Sequence, residues 1–82
     1  MTLSNKVKGL LKLTNKKGVE YYKALNLKSA SALNMKYVRE SFGVPDFIVL
    51  AELTGTQLAF IDKETGKPMV IFDIDDIKKP SE

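Results

Sequence analysis

The chain has 82 residues, enough for one domain with a modest core, and it contains neither cysteine nor histidine. These absences exclude disulfides, zinc sites of the usual kind and Ser-His or Cys-His catalysis, so we expect no enzyme, no cofactor and no metal. The net charge of +3 combines a basic half, residues 1–40 with a charge of +7, and an acidic half, residues 41–82 with a charge of −4. Such an asymmetry is typical of proteins whose basic face meets a polyanion.

No apolar run approaches the roughly 20 residues that a membrane-spanning helix needs, and no signal peptide is recognised. We therefore expect a cytoplasmic protein without a membrane partner.

A first helix is predicted over residues 3–13, with Thr2 or Ser4 as its cap. Its apolar side chains recur with the 3.6-residue period of one helix face, and they are Leu3, Val7, Leu10 and Leu11.

A second helix is predicted from about residue 17 to residue 25. We expect Asn26 to end it, because asparagine enters the left-handed region more easily than most residues. Leu27 is expected to be buried between this helix and the next.

A third helix is predicted over residues 30–39, with Ser29 as its N-cap. The side chains expected to face the core are Ala30, Leu33 and Tyr37. Those expected to point outward are Ser31, Asn34, Met35 and Arg39. The tyrosines are interpreted as core residues rather than as platforms for bases, and they are Tyr21, Tyr22 and Tyr37.

A fourth helix is predicted after a loop at residues 40–43. Pro45 suits the first turn of a helix, and Asp46 favours the positive end of the helix dipole. The expected inward stripe is Phe47, Leu50, Ala51 and Thr54. Gly55 is expected to end the helix.

The hydrophobic period changes from 3.6 to 2 after Gly55, so residues 56–62 and 68–74 are predicted to form a β-hairpin with Gly66 in its loop. Residues 75–82 are expected to be a polar tail. Both faces of the hairpin are apolar, and an isolated hairpin cannot bury them. A homodimer is therefore predicted, with its interface at Leu58, Phe60, Ile61, Val70, Ile71 and Phe72. The alternative is a monomer whose helices and tail cover the second face.

The second and third helices, joined by a short turn, are predicted to form a helix-turn-helix, whose third helix can enter a major groove about 12 Å wide. Small side chains at the front of that helix let its backbone approach the bases, and Asn34 can pair with adenine through two hydrogen bonds. The side chains expected to contact phosphates are Lys28, Lys36 and Arg39, together with Lys16 and Lys17 near the start of the second helix. The sequence therefore predicts binding to double-stranded DNA, and the alternative is a helical bundle whose lysines are only solvated.

The run LNLKSASALNMKYVRESFGVPDFIVLAELTGTQLAFID resembles the Cro/phage-repressor (Xre-type) helix-turn-helix family, in a small subgroup with a C-terminal hairpin. The matching pieces are the helix end at Leu25-Asn26, the SALNMK of residues 31–36, the Arg-x-x-Phe of residues 39–42 and the LAELTG of residues 50–55. The resemblance covers about residues 3–62. It implies a dimeric transcriptional regulator of a bacterium, phage or mobile element that binds an inverted repeat. It also implies base reading by Ser29, Ser31, Ala32, Asn34 and Met35, with Lys36 as a contact to the DNA backbone.

The expected fold is α+β, with a lambda-repressor-like core of four to five helices in residues 1–55, the dimerising hairpin in residues 56–74 and the tail in residues 75–82. An alternative function stays open, in which this fold is a protein-interaction module with little or no sequence-specific DNA binding. Such a module could be an anti-repressor or an inhibitor of a nucleic-acid enzyme. The bulky pair Tyr21-Tyr22 and the lack of Gln or Arg early in the third helix favour this alternative.

Overall fold

The computed structural model describes residues 2–77, in which four α-helices precede an antiparallel β-hairpin, an α+β architecture. The helices are α1 (Leu3–Leu13), α2 (Gly18–Ala24), α3 (Ala30–Arg39) and α4 (Val44–Thr54). The strands are β1 (Leu58–Ile61) and β2 (Pro68–Phe72), and a 3₁₀ turn follows at Ile74–Asp76. The predicted order of elements is confirmed, and α2 is one residue shorter at each end than predicted.

Side-chain caps and left-handed residues explain where the helices begin and end. Thr2 caps α1, because its hydroxyl accepts a backbone N–H of the first turn at 3.2 Å. Asn26 follows α2 with a φ of +62°, and Gly55 ends α4 with a φ of +70°. Ser4, the other predicted cap, is instead buried, and its hydroxyl donates to the carbonyl of Tyr37.

The core is built by the four helices around one fully buried tyrosine, Tyr21. Its buried cluster consists of Val7, Leu11, Tyr21, Leu33 and Leu50. Burying one such large side chain contributes about 1.5–3 kcal/mol. Tyr22, Tyr37 and Leu27 are half-buried and pack against the cluster, which confirms that the tyrosines belong to the core.

Two side chains depart from the predicted core pattern. Ala30 is exposed, because it lines an open concavity beside α2 and α3 instead of the core. Ile48 is buried although it lies outside the predicted inward stripe. The reason is that α4 has neighbours on two sides: Leu50 belongs to the helical core, while Ile48 shares a cleft with Phe72 at the base of the hairpin.

The hairpin has a defined register with one irregularity. Its paired residues are Leu58 with Phe72, Ala59 with Ile71, Phe60 with Val70, and Ile61 with Pro68. The shift in register leaves Met69 as the extra residue of a β-bulge. Gly66 has a φ of +74° in the loop, as predicted. The second strand is shorter than predicted, because the Asp73 carboxylate accepts the Asp75 N–H at 3.0 Å and starts the 3₁₀ turn. Residues 78–82 of the predicted tail lie outside the described residues.

Candidate nucleic-acid interface

The orientation of α3 follows from the residues that anchor it. Leu33 is buried and Tyr37 is half-buried, four residues apart on one face. At about 100° per residue, Asn34 lies beside this anchored face. The side chains on the opposite face, called the apex of α3 below, are Ser31, Met35 and Val38. Asn34 and the three apex side chains are exposed.

The start of α3 uses one of the expected base-reading residues for capping. The Ser29 hydroxyl accepts the Ala32 N–H at 3.4 Å, so it satisfies a backbone donor of the first turn. Ser29 is exposed and Ala32 is half-buried. Asn34 is therefore the expected reader with the most hydrogen-bonding capacity on the open side of the helix.

Lys36 is held by contacts within the chain. Its Nζ lies 3.1 Å from a carboxylate oxygen of Asp46 and donates to the Ser41 carbonyl at 3.4 Å. The same carboxylate accepts the Gly43 N–H at 3.0 Å, so the ion pair ties the end of α3 to the first turn of α4. The predicted contact of Lys36 with the DNA backbone would require this ion pair to open.

The other predicted phosphate contacts flank α2 and α3. Lys17, Lys28 and Arg39 are exposed, and Lys16 is half-buried. Within residues 2–77 none of these four cations forms an ion pair. The Glu20 carboxylate accepts the Lys17 N–H at 2.9 Å, so the first turn of α2 already carries a negative charge. The positive charge at this end of α2 therefore comes from the lysine side chains, because Glu20 offsets the positive end of the helix dipole.

A groove beside α1, α2 and α3, called the α1–α3 groove below, adds basic residues that were not predicted to contact DNA. It consists of two adjoining concavities that share Lys8, Gly18 and Tyr37. The first concavity also contains Asn34 and Tyr22. The second also contains Lys12, Asn15 and Lys16. No acidic residue lines either concavity. The spacing of four residues between Lys8, Lys12 and Lys16 is the sequence signal that could have identified this row.

The apex of α3 is partly apolar. Val38 is 71% exposed and Met35 is 44% exposed. In a DNA groove such side chains can contact thymine methyl groups, whereas a protein partner could bury them. The apex is therefore compatible with both candidate functions.

The predicted dimer residues of the hairpin differ in exposure. Leu58 and Phe72 are half-buried near the helices. The exposed members of the set are Phe60, Ile61, Val70 and Ile71. Phe60 remains 67% exposed although its ring packs edge-on against Phe72, with the ring centroids 5.7 Å apart. The hairpin of a single chain therefore leaves apolar side chains exposed on both faces.

Comparison of the chain with protein-family models gives no match, and neither does comparison with curated proteins or with solved structures. In the part of the chain that the structure describes, no helix has the length and apolar character needed to cross a membrane. Among the same residues, no group of three or more potential acidic ligands is placed to hold a metal ion. The function is therefore inferred from the geometry and charge of the helical surface and the hairpin.

Proposed function

We propose that the chain is a dimeric DNA-binding regulator of transcription that places α3, about residues 29–39, in the major groove. The observation that carries this proposal is the open face of α3, which adjoins a groove lined by lysines and by no acidic residue. A single α-helix fits a major groove about 12 Å wide. The basic groove beside it supplies the charge that a DNA backbone requires.

The distribution of charge supports a polyanionic partner. Residues 1–40 contain nine basic and two acidic residues. Within residues 2–77, the one ion pair joins Lys36 to Asp46, so the remaining cations of the helical half are available to phosphates. Binding of these cations to DNA would release counterions and make the affinity strongly dependent on salt.

Asn34 is the residue proposed to read a base. Its amide group can donate to one atom of adenine and accept from another in the major groove. It lies between the apex of α3 and the basic groove, where a base edge and the neighbouring phosphates can be contacted together. Ser31 can hydrogen-bond to several bases, and it therefore adds little discrimination.

The connection between α2 and α3 supports a helix-turn-helix of the Cro/phage-repressor type. It comprises residues 25–29, and the Leu27 N–H donates to the Tyr22 carbonyl at 2.9 Å, which closes the end of α2. The half-buried Leu27 side chain packs on the core, so the turn is fixed against the helices. A recognition helix needs such a fixed angle to its neighbour.

A second copy of the chain is the proposed partner of the hairpin. An isolated two-stranded sheet has only marginal stability in water. Pairing two hairpins would bury their apolar faces or their unpaired edges. A two-fold dimer would present two α3 helices to the two halves of an inverted repeat.

Fluorescence anisotropy with labelled duplexes tests the proposal. We expect the chain to bind a random duplex at about 50 mM salt and to lose affinity steeply by about 200 mM salt, because bound phosphates release counterions. A preferred site is then selected from a random library. On that site Asn34→Ala is expected to bind roughly 5- to 150-fold more weakly, which corresponds to about 1–3 kcal/mol per bidentate contact.

The matched control is Asn5→Ala, which removes an exposed asparagine from α1. We expect Asn5→Ala to keep the parental affinity for the selected site and for random duplex. Asn34→Ala is expected to keep the parental affinity for random duplex. Absence of duplex binding at low salt contradicts the proposal. Equal losses on the selected site and on random duplex contradict the base-reading role of Asn34.

The second candidate function is a protein-interaction module, and the apolar apex of α3 is the observation that favours it. An exposed valine in the last turn of α3 would be buried more completely by a protein than by a base edge. The same anisotropy experiment separates the two functions. The interaction module predicts that the chain binds no duplex and instead captures a protein partner. Val38→Asp should abolish capture of that partner, whereas Leu13→Asp should still capture it.

A further inference from the structure

Three lysines form a row along one side of the α1–α3 groove. Lys8 and Lys12 lie four residues apart on α1, so they share a face and are separated by about 6 Å along the helix axis. Lys16 continues the row after the end of α1, and it lines the same concavity as both. Lys8, Lys12 and Lys16 are called the lysine row below.

The lysine row adjoins Asn34, the residue proposed to read a base. Lys8 lines both concavities of the groove, and Asn34 lines the one that lies next to the row. The Lys8 Nζ lies 4.7 Å from the centroid of the Tyr37 ring, so its ammonium group is held at the junction of the two concavities. Tyr37 belongs to α3 and packs on the core, so this contact joins the first lysine of the row to α3.

The opposite flank of α3 offers Arg39 as a cation without an ion pair among the described residues, but its other cation is already engaged. Lys36 on that flank is paired with Asp46, which carries a negative charge beside it. The α1–α3 groove combines three lysines with no acidic lining residue. The groove side of α3 therefore presents three lysines without an ion-pair partner among the described residues, beside the single carboxylate of Glu20 in the first turn of α2.

We infer that the lysine row binds the sugar-phosphate backbone of one DNA strand while α3 occupies the adjoining major groove. This inference rests on the proposed function, and it identifies the surface that supplies affinity as distinct from the α3 residues that supply specificity. Lys12 and Lys16 contact phosphates directly in this arrangement. Lys8 contacts the backbone beside Tyr37.

The test compares two double variants of the full chain, Lys12→Gln/Lys16→Gln and Lys63→Gln/Lys67→Gln. Both change the net charge from +3 to +1, and the second pair lies in the exposed hairpin loop. Lys8 is kept because it packs on Tyr37. The measured quantity is the slope of the logarithm of the binding constant for random duplex against the logarithm of the salt concentration.

We expect the slope of the lysine-row variant to shrink by about 1.8, because each phosphate contact accounts for about 0.9. The same relation gives roughly 60-fold weaker binding at about 0.1 M salt. The loop variant is expected to keep nearly the parental slope. Lys12→Arg/Lys16→Arg keeps the charge and is expected to keep the parental slope. Thermal unfolding checks that each variant is folded.

The outcomes separate this inference from the proposed function. If the parent chain binds duplex and the lysine-row variant keeps its slope, the lysine row is not the backbone contact and the proposed function stands. If the slope decreases equally in both double variants, the decrease reflects the lower net charge and not the lysine row, and the inference is again overturned. If the parent chain binds no duplex, the proposed function and the inference fail together.

Discussion

Tyr21 joins three parts of the chain from the centre of the core. Its side chain has no exposed surface, and its hydroxyl donates to the Asp46 carbonyl at 2.9 Å. Its ring stacks on Phe42 in the loop between α3 and α4. Burial raises the pKa of the Tyr21 phenol above its ordinary value of 10.0, and the charge of Asp46 adds to this rise. The folded chain therefore keeps a proton that the unfolded chain loses near pH 10.

This difference predicts a loss of stability in alkali. Above pH 10 the unfolded state binds fewer protons than the folded state, so the free energy of unfolding falls by about 1.4 kcal/mol per pH unit from Tyr21. Below pH 10 the stabilisation is fully present. Denaturant unfolding of the parent chain and Tyr21→Phe at pH 8 and pH 11 measures it. At pH 8, Tyr21→Phe is expected to be about 1 kcal/mol less stable than the parent chain, because it lacks the hydrogen bond. From pH 8 to pH 11, the free energy of unfolding of Tyr21→Phe should fall by less than that of the parent chain.

Tyr37 provides the internal control for this comparison. Burial also raises its pKa, so it contributes an alkaline loss to both proteins. The difference between the two pH dependences therefore reports Tyr21 together with its electrostatic coupling to Tyr37. Parallel pH dependences would contradict the assignment.

The contacts of Lys36 show which features of the site the sequence could not predict. Helical spacing placed Lys36 on a flank of α3, and Asp46 was expected in the first turn of α4. Their distance of 3.1 Å depends on how the loop at residues 40–43 folds, and no local pattern encodes that path. The four-residue spacing of Lys8 and Lys12 is visible in the sequence, but the position of Lys8 beside Tyr37 depends on how α1 packs against α3.

The link between α2 and α3 depends on a residue that accepts a left-handed backbone. Asn26 has a φ of +62° in that link. A side chain with an ordinary Cβ is strained there by about 1–2 kcal/mol, whereas glycine is not. We therefore expect Asn26→Ala to lower the free energy of unfolding by about 1 kcal/mol, and Asn26→Gly to be neutral or slightly stabilising. Urea unfolding at neutral pH measures both.

Asn5 gives the matched comparison because it lies within α1 and is exposed. Inside a helix alanine is more favourable than glycine by about 1 kcal/mol, so Asn5→Ala should exceed Asn5→Gly in stability. The order of the two variants should therefore reverse between the positions. The same order at both positions would contradict the left-handed role of Asn26.

At the scale of elements, local signals predicted most of the fold. Caps such as Ser29 and breakers such as Gly55 act within one turn, so the bounds of α1 and α3 could be predicted closely. Elements whose limits depend on distant packing were predicted less well. The burial of Ile48 depends on where the hairpin folds back against α4, whereas the early end of β2 follows from the local cap of Asp73.

At the scale of the whole molecule, the hairpin projects from the helical core. The Cα radius of gyration is 13.5 Å, above the roughly 11–12 Å expected of a compact domain of this length. Apolar side chains on the projecting part cannot be covered by the helices as they stand. A second copy of the chain offers the same surface and could pair with it across a two-fold axis.

Light scattering tests this dimer with variants of both hairpin faces. The parent chain is expected at twice the 9.2 kDa of one chain. Phe60→Lys and Ile61→Lys change the two faces separately, and each removes an apolar side chain that is more than half exposed, so folding should persist. The variant on the interface face should shift the mass towards that of one chain. It should also weaken binding to an inverted repeat far more than binding to a half-site, because only a dimer joins the two half-sites.

Leu13→Lys is the control, because Leu13 is 86% exposed on α1 and lines neither cleft between the helices and the hairpin. We expect this variant to keep the parental mass and its preference for the inverted repeat. A parent chain that scatters as 9.2 kDa at concentrations far above those of the binding assay would contradict the hairpin dimer. In that case α3 and the lysine row could still bind DNA, but as a single unit on one half-site. If the parent chain is a dimer and both hairpin variants keep the mass of a dimer, the interface lies on another surface. The apex of α3 is then the next surface to test.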